Sequence, residues 1–261
     1  MTTKKAQTTE SIKNLLKKIR ASNAKFEKMT KAERKAAVAK DVIALIDSGF
    51  FKVKTDMYLE APTVFKGDYS SSTSDMLSDK DLSDVLTEKA KKNACRVCAV
   101  GATFVATVMK RDQLNYNANG YSDDNMLEYL EDIFSGQELR MMERAFEAIE
   151  DGQAFGESFN SDELRLRAIM NIIIKNNGKF ILPKSPSKNI TYGEYRLNDN
   201  SDWYHSPADL KNFAKGEKAN ASSKKALARA DKLMADAQKW EDWQKEMVAL
   251  AGNTGRLAAA K

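Results

Sequence analysis

Apolar positions recur at helical spacing along most of the chain. Ile12, Leu15, Leu16 and Ile19 follow an i, i+3, i+4, i+7 pattern, which predicts an amphipathic helix from about Thr9 to Lys28. Its other face carries Lys13, Lys17, Lys18, Arg20 and Lys25. Thr30-Lys-Ala-Glu33 has the form of a capping box and opens a second helix with Ala37, Val38, Val42, Leu45 and Ile46 as its stripe. Gly49 is placed as its left-handed terminator. Phe51, Val53, Thr55, Met57 and Leu59 then alternate with mostly polar residues, the mark of a short strand.

Residues 62–78, with Pro62, Gly67 and a serine run, read as a loop, and Leu82, Val85, Leu86 and Ala90 as a short helix. Ala94 to Met109 is the most apolar segment. Only Arg96, Gly101, Thr103 and Thr107 break its run of Ala, Val, Cys, Phe and Met. A helix apolar on nearly all sides is buried on nearly all sides, so this segment is the expected centre of the fold. Gly101 costs it roughly 1 kcal/mol relative to Ala, which close approach of a neighbouring helix would offset.

After the polar loop 115–124, Ser122 is placed to cap a helix with Leu127, Leu130, Ile133 and Phe134. Ser135-Gly-Gln-Glu138 is a second capping box, before the stripe Leu139, Met142, Phe146 and Ile149. Ser161 to about Asn177 is another helix, ended by Gly178, and Phe180-Ile-Leu182 reads as a short strand that would pair with 51–59. Ser206 with Pro207 opens a short helix anchored by Leu210 and Phe213. In the last helix, from about Ala221 to Ala251, Ala226, Leu233, Trp240 and Met247 recur every seven residues, each followed four later by Ala230, Ala237, Gln244 or Ala251. That seam packs against the body or against another chain.

The pattern predicts a mainly α fold: a single helical domain around a buried central helix, with a minor two-stranded β element. It divides into a basic N-terminal helix or arm (1–29), a helical core (30–182), a basic and aromatic surface segment (183–220), and a C-terminal amphipathic helix with its tail (221–261). The pattern leaves the docking of the two end helices open.

Charge sharpens this picture. The 261 residues include 42 Lys and Arg against 37 Asp and Glu, a net +5. Residues 1–54 hold 14 cations and 5 anions, 55–165 hold 11 and 22, and 166–261 hold 17 and 10. Two basic ends flank an acidic middle. The ends meet a polyanion, or they fold back on the acidic middle, or they are ordinary solvated faces. There is no 18-residue apolar run, so no transmembrane helix is expected. Met1 to Gln7 is polar, so neither is a secretory signal.

The chain has one histidine, His205, and two cysteines, Cys95 and Cys98, so common metal and acid–base chemistries have little material. Cys95-Arg-Val-Cys98 is a C-x-x-C, but no strand is expected before it and the residues after it are mostly apolar. It reads as two small core side chains in a reducing compartment, with a redox or zinc role as the alternative. Zinc would need two further ligands, and no second Cys or His pair exists.

The carboxylates Asp123, Asp124, Glu128, Glu131 and Asp132, and again Glu138, Glu143, Glu147, Glu150 and Asp151, are dense enough for a Mg²⁺ nuclease. Their spacing fits a solvated helix face equally well. His205 in a polar loop reads as a surface residue, and no G-x-S-x-G, Walker A or G-x-G-x-x-G is present. No cofactor, metal or catalytic residue is expected.

The candidate binding residues are Lys184, Lys188, Tyr192, Tyr195, Arg196, Trp203 and Tyr204, basic and aromatic side chains interleaved among Gly, Asn, Ser and Pro. The mix suits a protein hot spot, a single-stranded nucleic-acid groove, or a loop packed over the core with its rings as anchors.

Ala94-Cys-Arg-Val-Cys-Ala-Val-Gly-Ala102 resembles a pattern in uncharacterised accessory proteins of tailed phages and prophages. The resemblance takes in the helix 30–49 with the extended segment to Leu59, and Phe134-Ser-Gly-Gln-Glu-Leu139 with Phe146-Glu-Ala. It also takes in Arg165-Leu-Arg-Ala-Ile-Met170 with Gly178-Lys-Phe180, so that it spans roughly 30–182. It implies a non-enzymatic factor that binds a host or phage protein in the host cytoplasm, and it transfers no catalytic residue. The expected partner is a protein. The alternative is DNA or RNA, met by the basic ends and the 184–204 segment. No membrane is expected, and the C-terminal seam offers a route to self-association.

Overall fold

Apolar patterning of this kind folds into helices stacked about one core. The computed structural model describes residues 12–56, 59–60, 95–113, 123–150, 155–156, 159–190, 194–197 and 203–252. Several expectations lie outside these residues: the polar start before 12, the loop 62–78, the helix at 82–90, the Ser122 cap, Tyr192 and the tail beyond 252.

Helix α1 spans 12–20, and after a turn at 21–22 the short α2 follows, Asn23–Phe26. The single helix expected to 28 is therefore broken. Ser22 turns its hydroxyl onto the carbonyl of Ile19 and competes with the helical ladder there. Helix α3, Lys31–Asp47, starts at the expected capping box: Thr30 accepts from the Glu33 amide and Glu33 accepts from the Thr30 amide. Gly49 adopts φ 73°, the left-handed terminator.

Strand β1 is Phe51–Val53, β2 is Leu59–Glu60 and β3 is Cys95–Val97. They form one sheet in the order β1-β3-β2, with β1 parallel and β2 antiparallel to β3. Two expectations are corrected. The strand predicted over 51–59 is two strands, and Asp56 between them takes the left-handed φ of 62°. The partner of 51–53 is 95–97, and 180–182 joins no ladder.

Helix α4, Ala99–Lys110, follows β3 directly, and all twelve of its residues are buried. Its polar side chains are satisfied inside the core. Thr103 and Thr107 donate to the carbonyls four residues back. Lys110 Nζ lies 2.7 Å from Asp41 Oδ2 on α3. Around α4 pack α3, α5 (Asp123–Leu130), α6 (Gly136–Glu147) and strand β3. Helix α7, Asp162–Lys175, covers the other side of α3 and touches α6 and β1.

The C-terminal third adds the hairpin β4, Tyr195–Arg196, with β5, Trp203–Tyr204. Helices α8, Pro207–Ala219, and α9, Lys224–Leu250, complete it and lie against each other. Helix α9 also packs on α7. Of the heptad positions, Ala230, Leu233, Ala237, Trp240, Met247 and Ala251 are buried, so the seam faces the body. Buried residues from all four stretches of the chain, from Ile12 through Tyr195 to Ala251, form one hydrophobic core. Among the described residues no helix is long and apolar enough to cross a membrane.

Candidate functional site

The segment after Pro183 is ordered by its own turns before it meets the core. Ser185 donates through its hydroxyl to the carbonyl of Ile190, and the Asn189 amide donates to the Ser187 hydroxyl. Ile190 bridges Tyr195, and the Arg196 amide donates to the Asn189 carbonyl at 2.8 Å. Strands β4 and β5 then pair antiparallel, with Tyr195 opposite Tyr204 and Arg196 opposite Trp203.

Strand alternation divides these four side chains. Tyr195 points inward, 1% exposed, and its hydroxyl donates to Asp236 Oδ2 on α9 at 3.2 Å. Burial raises the pKa of this phenol, and the nearby Asp236 carboxylate adds to the rise. Tyr204 lies half-buried against Phe213 of α8, ring centroids 5.1 Å apart. Arg196 and Trp203 point outward. The Arg196 guanidinium carbon sits 4.0 Å from the Trp203 ring centroid, well inside cation–π range. Trp203 is 36% exposed.

Of the candidate residues, Arg196 and Trp203 thus form one outward stack. Tyr195 and Tyr204 are the anchors beneath it. Lys184 and Lys188 are exposed on the turn leading into the hairpin. Asp236 was not among the sequence candidates, and its only signal was a charged residue within the α9 seam, beside Ala237.

The C-x-x-C straddles a strand-to-helix junction: Cys95 lies in β3, and Cys98 caps α4, its sulfur accepting from the Gly101 amide at 3.4 Å. The single helix expected over 94–109 is corrected, since its start, Cys95–Val97, is strand β3 and the helix begins at Ala99; the residues before the motif lie outside the described ones. A buried strand and a buried helix leave the same continuous apolar run, so periodicity could not separate them. Both thiols are buried and free. Burial pushes Cys98 up to about 12 against the opposing pull of the Gly101 amide, with the carboxylates of Glu147 and Glu143 adding to the rise. Burial pushes Cys95 up as well. Neither supplies a thiolate at neutral pH.

The carboxylates disperse. Glu138 pairs with Lys35 at 2.5 Å, Asp132 with Arg111, and Glu150 with Arg144 at 2.8 Å. Glu147 accepts the Asp56 amide, and burial raises its pKa. The side chains of Asp123 and Asp124 lie outside the described residues. Among the described residues no group of three or more His, Cys, Asp or Glu is arranged to hold a metal. His205 is exposed, and Ser206 is engaged as the α8 cap with Asp209.

The two ends meet the body only in part through charge. Arg20 reaches Asp112 at 2.5 Å, and at the other end Glu246 of α9 pairs with Lys175 of α7 at 3.0 Å. Lys13, Lys17, Lys18, Lys25 and Lys28 face solvent. Compared with family models, curated proteins and solved structures, the chain matches none.

Proposed function

We propose that this protein is a non-enzymatic interaction factor, of the kind its resemblance to tailed-phage and prophage accessory proteins implies. It acts in the host cytoplasm by binding a host or phage protein through the β4–β5 hairpin. The observation that carries this reading is Arg196 stacked at 4.0 Å over the exposed ring of Trp203. Trp and Arg concentrate binding energy at protein interfaces. Here both sit on paired strands whose inward residue Tyr195 is buried, so the backbone beneath the stack is already ordered when a partner docks. Lys184 and Lys188 add a basic flank, which suits an acidic rim on the partner.

The test begins with a pull-down from infected cells, followed by affinity measurement with the purified partner. Replacing Trp203 and Arg196 together by Ala removes the stack and leaves Tyr195 and Tyr204 in place. The expected loss is about 30-fold or more, the range of a hot spot worth at least 2 kcal/mol. Unchanged affinity removes the hairpin as the site. Competition by a single-stranded oligonucleotide would favour the nucleic-acid alternative for the same stack.

A further inference from the structure

The stretch from α1 through α2 to Lys28 has two faces with different fates. Ile12, Leu16, Ile19 and Phe26 are buried in the core. On the other side Lys13, Lys17, Lys18, Lys25 and Lys28 are exposed, and none forms an ion pair with a described residue. The one acidic residue on this stretch, Glu27, is turned toward Arg34 and Arg111, each 3.5 Å away. Five cations therefore stand on one surface with no carboxylate partner among the described residues.

Two kinds of polyanion fit this surface poorly. A helix that binds a bilayer inserts its apolar face, and here that face is already inside the protein. A groove for single strands stacks bases on aromatic rings. The one aromatic residue between 12 and 29, Phe26, is buried. What is left is contact with phosphates alone, which positions a duplex without reading it.

We propose that the lysine face running from α1 through α2 to Lys28 binds double-stranded nucleic acid through its phosphates, independently of its sequence. This surface does not involve the β4–β5 hairpin, and the proposal stands apart from the function argued above.

The experiment follows fluorescence anisotropy of a 20-base-pair duplex with the full chain between 50 and 200 mM KCl. Five phosphate contacts predict a log–log salt slope of about −4.5, a weakening of roughly 500-fold across that range. A variant carrying Lys13→Gln, Lys17→Gln and Lys18→Gln should bind more weakly, with a slope near about −2. A control of equal charge loss, Lys215→Gln with Lys224→Gln and Lys225→Gln on the exposed end of the α8–α9 pair, should keep the parental slope. Circular dichroism confirms that both triples fold. The proposal is overturned if the parent fails to bind the duplex at 50 mM. It is equally overturned if both triples flatten the slope alike, since net charge alone would then act. Lysine-dependent binding to phosphatidylserine vesicles or to a single strand, without binding to the duplex, would also end it.

Discussion

At the scale of single residues, the same chemistry is set to opposite ends by its surroundings. Burial works against the Glu138 carboxylate, yet the Lys35 ammonium and the Ser135 cap outweigh it, so its pKa is lowered. Burial of Glu147 is not offset to the same degree by the Asp56 amide, so its pKa is raised. The two carboxylates must then contribute to stability with opposite pH dependence. Glu138 stabilises above the unfolded carboxylate pKa of about 4.3, and loses that contribution as pH falls through its lowered folded value. Glu147 contributes fully below that pKa and loses its contribution as pH rises through its raised folded value. In thermal melts at pH 4 and 7.5, Glu147→Gln should gain on the parent as pH rises, while Glu138→Gln should fall further behind. Parallel shifts of the two variants would contradict the assigned environments.

At the scale of elements, the ends of helices decide where neighbours can sit. Gly178, after α7, has φ 87°, and a Cβ built there would lie 2.2 Å from the carbonyl oxygen of Ala32 at the start of α3. Gly178→Ala should therefore lower the urea midpoint by the equivalent of about 2 kcal/mol or more, through both backbone strain and steric clash. An unchanged midpoint would show that the two helix ends are not in contact. Such ends were the most legible part of the sequence. The boxes at Thr30 and Ser135, the cap at Ser206, and the terminators Gly49 and Gly178 are all formed. Local hydrogen bonding specifies them, and local hydrogen bonding can be read from spacing. Strand β3 was not legible, because its identity depends on β1 and β2 lying beside it. In the hairpin, the residue types of the candidate site were legible. Which ring faces out was not, because it depends on Asp236, far along the chain from Tyr195, and on the pairing of β4 with β5.

At the scale of the whole molecule, the first and last helices belong to one core. Ile12, Leu16 and Ile19 enter it from one end of the chain, and Trp240, Met247 and Leu250 from the other. Such continuity predicts a single cooperative unfolding transition. Far-ultraviolet circular dichroism follows all the helices, and labelling of Cys95 and Cys98 follows the centre alone. Their urea midpoints should coincide. Loss of helix before the thiols become reactive would mean that the α8–α9 pair detaches on its own.

The three tryptophans fall on both sides of the boundary between core and surface. Trp240 is fully enclosed, and its indole N–H meets no acceptor among the described residues, while Trp243 lies beside it in the same helix. Trp203 stands at the surface under Arg196. The molecule thus carries its own optical gauge. A collisional quencher reaches Trp203 and leaves the α9 pair dark to it, so occupation of the hairpin is readable as protection of one emitter against two internal references.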